Sequence, residues 1–234
     1  MTGKIPTIDL SLDDDTITQE LYNALTTSGF ATLIHHGVSS EIREKAFAAS
    51  KAFFTLPLES KLECAYRGHE SNRGYIGCGK ETHTNATTAD RKETYDINPD
   101  PAPPELSQPW PTDLDDTTFA RDLTNYFNAM DQLQLRVLTY IEKGLLLPPK
   151  YLVERCNERH ENLRLLHYPE IELQTTNRDD DETPIVRGAV HTDYGTITLL
   201  TQDSGGLQVQ GLDGQWIAVT PVPDSVVVNV VSNS

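Results

Sequence analysis

The chain has 234 residues, enough for one domain with a sizeable core. Its 35 Asp and Glu outnumber its 19 Lys and Arg, and the formal net charge of −16 excludes nucleic acid and anionic membrane as natural partners, since both need clustered cations. Cys64, Cys78 and Cys156 form neither a CxxC pair nor an even framework, there is no basic-then-apolar start and no apolar run of spanning length, so a soluble cytoplasmic protein with reduced thiols is expected.

Ile5–Leu10 is a short extended opener. Asp13 to Asp15 offer caps for a helix running to about Ser28, and Gly29 stops it. Phe30–Ile34 reads as a strand, with His35–His36–Gly37 as the turn after it. Ser39 or Ser40 caps a second helix with Ile42, Ala46, Phe47, Phe53 and Phe54 as its apolar stripe, and Leu56–Pro57 ends it. Arg73–Gly77 is a glycine-punctuated loop or short strand, and Asp90–Ile97 a loop entering a strand. Residues 98–116 are too rich in proline and acid for either element and form a surface connection. A long helix follows from Thr117 to Leu145, with apolar positions Phe119, Leu123, Phe127, Met130, Leu133, Leu135, Val137, Leu138 and Ile141.

After Leu147–Pro148–Pro149 the pattern changes to short strands: Asn162–Tyr168, Ile185–Val190, Thr196–Leu200, Leu207–Gln210, Trp216–Val219 and Val226–Val230. Turn residues at 178–181, 204–206, 213–214 and 221–224 separate them. Such a run predicts a sandwich or jelly roll. The expected class is α+β, with an N-terminal region over 1–116 and the long helix plus a jelly-roll region over 117–234, forming one structural unit.

Within Gly188–Leu200, His191 and Asp193 stand two apart. In a strand such residues point to one side, and an imidazole with a carboxylate makes two thirds of the 2-His-1-carboxylate face that holds non-haem Fe(II). Read in isolation, the pair is better taken as a turn histidine beside a strand and a loop cap for Gly195. All seven histidines lie at or before position 191.

An ordered set of motifs surrounds this pair: Ile5–Asp9, Gly29–Phe30 with His36–Gly37–Val38, Phe53–Pro57, Arg73–Gly74–Tyr75, Lys92–Glu93, Leu163–Pro169, His191–Thr192–Asp193, Gly205–Val209, Trp216, and Pro221–Val222–Pro223 running into Val227–Val230. The set resembles the isopenicillin N synthase-like Fe(II)/2-oxoglutarate-dependent oxygenases. The resemblance implies a double-stranded β-helix, with His191 and Asp193 as iron ligands and Tyr168 bonding a carboxylate of the co-substrate or substrate. It implies Fe(II), 2-oxoglutarate, O₂ and accessory ascorbate, acting on a small molecule by hydroxylation, desaturation or a related oxidation. Arg73 and Tyr75 are candidate residues of the substrate mouth, against the plainer reading of a surface turn. The family continues past its Asn-Val step to Gly-Asp, a distal histidine and an Arg-x-Ser pair, whereas here Asn229–Val230 runs into Val231–Ser232–Asn233–Ser234. The expectation is a barrel incomplete at its C-terminus, weak iron binding with little turnover by this chain alone, and self-association through unpaired strand edges. Two other readings stand beside it: an inactive remnant serving as a binding or regulatory partner, and an iron oxygenase that does not use 2-oxoglutarate.

Overall fold

The computed structural model describes residues 4–81, 90–98, 101–156, 161–170, 187–193, 195–211 and 214–230. In chain order the elements are β1 (Thr7–Asp9), α1 (Asp14–Thr27), β2 (Phe30–Ile34), α2 (Ser40–Thr55), α3 (Leu58–Glu63), β3 (Gly74–Ile76), β4 (Glu93–Ile97), α4 (Asp116–Gly144), β5 (Leu163–His167), β6 (Ile197–Leu200), β7 (Gln208–Gln210), β8 (Trp216–Ala218) and β9 (Val226–Val230). Among the described residues the strands form three sheets, and none closes into a barrel. No helix among them is long and apolar enough to cross a membrane.

One unit comprises Met1–Arg43, Asn128–His160 and Thr192–Ser234. Helix α1 starts where Asp13 accepts hydrogen bonds from the Thr16 amide at 3.0 Å and the Thr16 hydroxyl at 2.8 Å, satisfying an amide that has no partner within the helix. It ends where Gly29 turns the backbone to a φ of 74°, a left-handed conformation that a Cβ would disfavour. This returns the chain as β2, parallel to β1 with Ile8 opposite Leu33. Strand β9 is antiparallel to both β2 and β6, giving the order β1-β2-β9-β6. Side chains alternate along a strand. Val226 and Val228 therefore enter a cluster with Leu21, Leu33, Leu133, Val137 and Tyr140. Val227 enters a second cluster with Ile5, Val209 and Val219, where Val209 and Val219 come from the β7–β8 hairpin and the residue just after it.

The other unit comprises Glu44–Phe127 and Glu161–His191. Its sheet is antiparallel in the order β3-β4-β5, with Tyr75 opposite Tyr95 and Tyr95 opposite Leu165. An aromatic core covers one face. The Phe53 ring stacks on Tyr95 at 4.1 Å between centroids and meets Tyr75 edge-on at 5.9 Å, with Phe119 at 6.2 Å from Phe53 and 6.5 Å from Tyr95. Every residue of β4 is buried, including four that are charged or hydroxylated: Glu93, Thr94, Tyr95 and Asp96. Arg164, opposite Asp96, grips it through two 2.7 Å hydrogen bonds, the fork geometry that a guanidinium offers a carboxylate.

The elements follow the hydrophobic pattern closely. The long helix is Asp116–Gly144, and β2 and β9 keep their expected bounds. Helix α3 was not anticipated. Pro57, which ends α2, also opens α3 with a φ of −53°, where its missing N–H costs nothing. Of the expected strand at 185–190, Arg187–Val190 is irregular. Residues 185 and 186, the turn at 178–181 and the tail at 231–234 lie outside the described residues.

Candidate functional site

Asp193 lies in the loop that leads into β6. Pairing of β6 with β9 sets Thr198 opposite Asn229, and the Asn229 Nδ2 donates to Asp193 Oδ2 at 2.9 Å. A carboxylate only accepts, so the nitrogen end of the amide has to face it. The interaction spans 36 residues of sequence and fixes which way one carboxylate oxygen points.

His191 belongs to the other unit and ends a segment that is tied down at three points. The Arg91 amide donates to the Arg187 carbonyl at 2.8 Å. The Ala189 amide donates to Asp90 Oδ1 at 2.8 Å, while Asp90 Oδ2 accepts from Lys92 Nζ at 2.6 Å. His191 Nδ1 then sits 2.8 Å from the Ala189 carbonyl. A carbonyl accepts only, so Nδ1 carries the proton; in the neutral ring the lone pair then lies on Nε2, the tautomer suited to metal ligation. Neutral imidazole and carboxylate are both donor types that a divalent iron accepts. Among the described residues no three His, Cys, Asp or Glu side chains converge as a metal-holding group.

Tyr168 follows β5 and is 41% exposed. The Arg187 guanidinium lies 5.3 Å from its ring centroid, and Arg187 Nη2 donates to the Tyr168 carbonyl at 2.6 Å. The pair braces the tyrosine ring against the segment that carries His191.

Arg73 and Tyr75 occupy the interior of their unit, at 6% and 4% exposure. Arg73 Nη1 donates to the Leu106 carbonyl, and the Tyr75 hydroxyl to Glu93 Oε2. Glu93 also accepts from Lys61 Nζ at 2.8 Å and meets His167 Nδ1 at 2.8 Å. Burial works to raise the Glu93 carboxyl, but the bonds from Lys61, Tyr75 and His167 outweigh it and hold it below the usual range. Burial, then the Glu93 charge, pushes the Tyr75 hydroxyl well above the ordinary phenol. Burial likewise raises the Asp96 carboxyl, against the pull of Arg164.

The other histidines among the described residues have structural partners. His35 meets Asp9 at 2.8 Å, and His167 stacks on Phe54 with centroids 5.2 Å apart. His36 Nδ1 accepts from the Val38 amide while its Nε2 reaches the Asp224 carbonyl, both at 3.1 Å. His83 and His160 lie outside the described residues. Sequence reading passed over two supporting residues, Asn229 and Asp90. The first left a trace, an amide interrupting an all-valine strand; the second left none.

Two family models match the chain: the N-terminal region of non-haem dioxygenases in morphine synthesis over residues 5–114, and the 2OG-Fe(II) oxygenase superfamily over residues 160–233. A proline hydroxylase, buaE of Petromyces alliaceus, is 34% identical over 200 residues, covering 82% of this chain; the chain spans 60% of that relative's length. The 2-oxoglutarate-dependent dioxygenase caaD of Aspergillus niger is 30% identical over 243 residues, covering 97% of the chain and 73% of the relative. Among solved structures, full-length Neurospora crassa T7H in complex with alpha-KG is 35% identical with a TM-score of 0.84, covering 99% of this chain and 74% of that one. The same enzyme is solved with alpha-KG and thymine. The α+β architecture described above is therefore that of the jelly-roll oxygenases, and this chain belongs to the 2-oxoglutarate–Fe(II) oxygenase superfamily.

Proposed function

We propose that this chain forms the iron-binding region of an Fe(II)/2-oxoglutarate-dependent oxygenase that oxidises a small molecule. The observation that carries the reading is a pair of donors two residues apart, each aligned by its own hydrogen bond: His191 by the Ala189 carbonyl, Asp193 by the Asn229 amide. Bound iron supplies the redox chemistry that couples O₂ and 2-oxoglutarate to oxidation of the substrate. His191 contributes its Nε2 lone pair and Asp193 a carboxylate oxygen. Tyr168, braced by Arg187, offers its hydroxyl as a donor to a carboxylate of 2-oxoglutarate or substrate. A small-molecule substrate agrees with T7H, whose complexes hold thymine and 5-formyluracil.

The test is anaerobic titration with Fe(II), alone and with 2-oxoglutarate. Uptake of the metal is expected to tighten when the 2-oxoacid is present and to vanish in His191→Ala and Asp193→Ala. Binding of 2-oxoglutarate that is indifferent to iron, or to both substitutions, would overturn the reading.

A further inference from the structure

We infer that Asn229 is a positioning residue for the metal site, acting through Asp193; the inference rests on the reading of Asp193 as a ligand. Strand β9 is Val226–Val227–Val228–Asn229–Val230. It is central in its sheet, with Asn229 opposite Phe30 on one side and Thr198 on the other. β-Branched apolar residues are what such a position favours. An amide there costs desolvation unless it is hydrogen-bonded. By alternation Asn229 projects on the side of Val227, whose neighbours are Ile5, Val209 and Val219. The strand thus accepts a polar group on its apolar side, and that group donates to Asp193 Oδ2 at 2.9 Å.

A hydrogen bond of this kind engages one carboxylate oxygen and limits rotation about the Cβ–Cγ bond. The other oxygen is then turned in a set direction. The restraint comes from a strand in which Val226 and Val228 are fully buried. A floppy loop carboxylate would have to be ordered at the moment of binding; one held by Asn229 is ordered beforehand.

The experiment compares Asn229→Leu, Asn229→Asp and Asp193→Ala in the full chain. Leu has nearly the shape of Asn without the donor, and Asp presents an acceptor where the donor was. Mn(II) alone, followed by isothermal titration and electron paramagnetic resonance, is the probe. Asn229→Leu is expected to weaken Mn(II) about 10–100-fold, as losses of groups that orient ligands do, and Asn229→Asp to weaken it at least as much. The thermal midpoint of metal-free Asn229→Leu is expected within about 4 °C of the parent, since an apolar residue suits the strand. Unchanged Mn(II) affinity in Asn229→Leu, with Asp193→Ala impaired, overturns the positioning role and leaves the ligand reading intact. Unchanged affinity in Asp193→Ala, or no Mn(II) uptake by the parent, overturns the ligand reading. The contact itself is read without metal, as non-additivity: Asn229→Leu is expected to raise the thermal midpoint about 2–4 °C more in the Asp193→Ala background than in the parent. Additive midpoints overturn it.

Discussion

Glu93 carries its charge inside an aromatic core because three side chains share it. Removing the cation while leaving the carboxylate buried is the damaging change, so Lys61→Met is expected to cost about 3–5 kcal/mol in urea unfolding. The sign of the pH effect follows from the direction of the shift. The folded carboxyl titrates below its ordinary range, so its contribution is complete above the unfolded value of about 4.3 and is lost as pH falls through the lower folded value. The urea midpoint of the parent should fall in that acid window, and fall less steeply in Glu93→Gln. At this scale His191 and Asp193 stood out only through the ordered set of motifs around them, since a His-x-Asp spacing by itself is a weak signal. Asn229 and Asp90 were not, because the groups they hold lie 36 and 99 residues away. Arg73 and Tyr75 looked like loop residues beside glycine, yet Tyr75 is paired within β3–β4 and Arg73, just before β3, is buried with its guanidinium on the Leu106 carbonyl.

Helix α1 depends on its first turn. Asp13→Ala leaves the Thr16 amide without its partner and is expected to cost about 1 kcal/mol, measured by chemical denaturation. Strand β9 has a latch at its entrance. His36, 7% exposed, accepts from Val38 on one nitrogen and so donates to the Asp224 carbonyl from the other. Arg43 faces the same turn and pairs with Asp224 Oδ1 at 2.5 Å. Burial holds the imidazole below its usual value, Arg43 and His35 adding to the effect and the Asp224 contacts opposing it. Stability from this histidine is therefore full above about pH 6.5 and lost as pH falls through the lower folded value. Thermal midpoints of the parent should drop as pH is lowered from about 6.5, and His36→Gln should flatten that drop. Long periodic elements such as α4 were legible because 3.6-residue spacing repeats over many turns. Helix α3 was hidden because six residues after a proline carry too little pattern to distinguish a new helix from the end of the old one.

For the molecule as a whole, the charge of −16 sets a background of self-repulsion that favours the unfolded chain. Added salt screens it, with a Debye length of about 8 Å at physiological ionic strength. The thermal midpoint is expected to rise between about 10 mM and about 150 mM sodium chloride; a midpoint that falls over this range would show that attractive ion pairs such as Arg164–Asp96 dominate instead. The α+β class was legible from the switch between helical and strand spacing after Pro148–Pro149. Which strands become neighbours was not, since β9 inserts between β2 and β6 across nearly the full sequence.

That insertion poses a threading problem which β9 answers with one side chain. Slippage by a single residue would swap one valine for another on both sides of the sheet, so greasiness alone scarcely distinguishes the alignments. The same slip would turn the Asn229 carboxamide to the side of Val226 and Val228, away from Asp193, and a buried amide left unsatisfied costs about 1–3 kcal/mol. The amide thus favours one alignment of the strand, through a contact between two side chains that needs no metal ion.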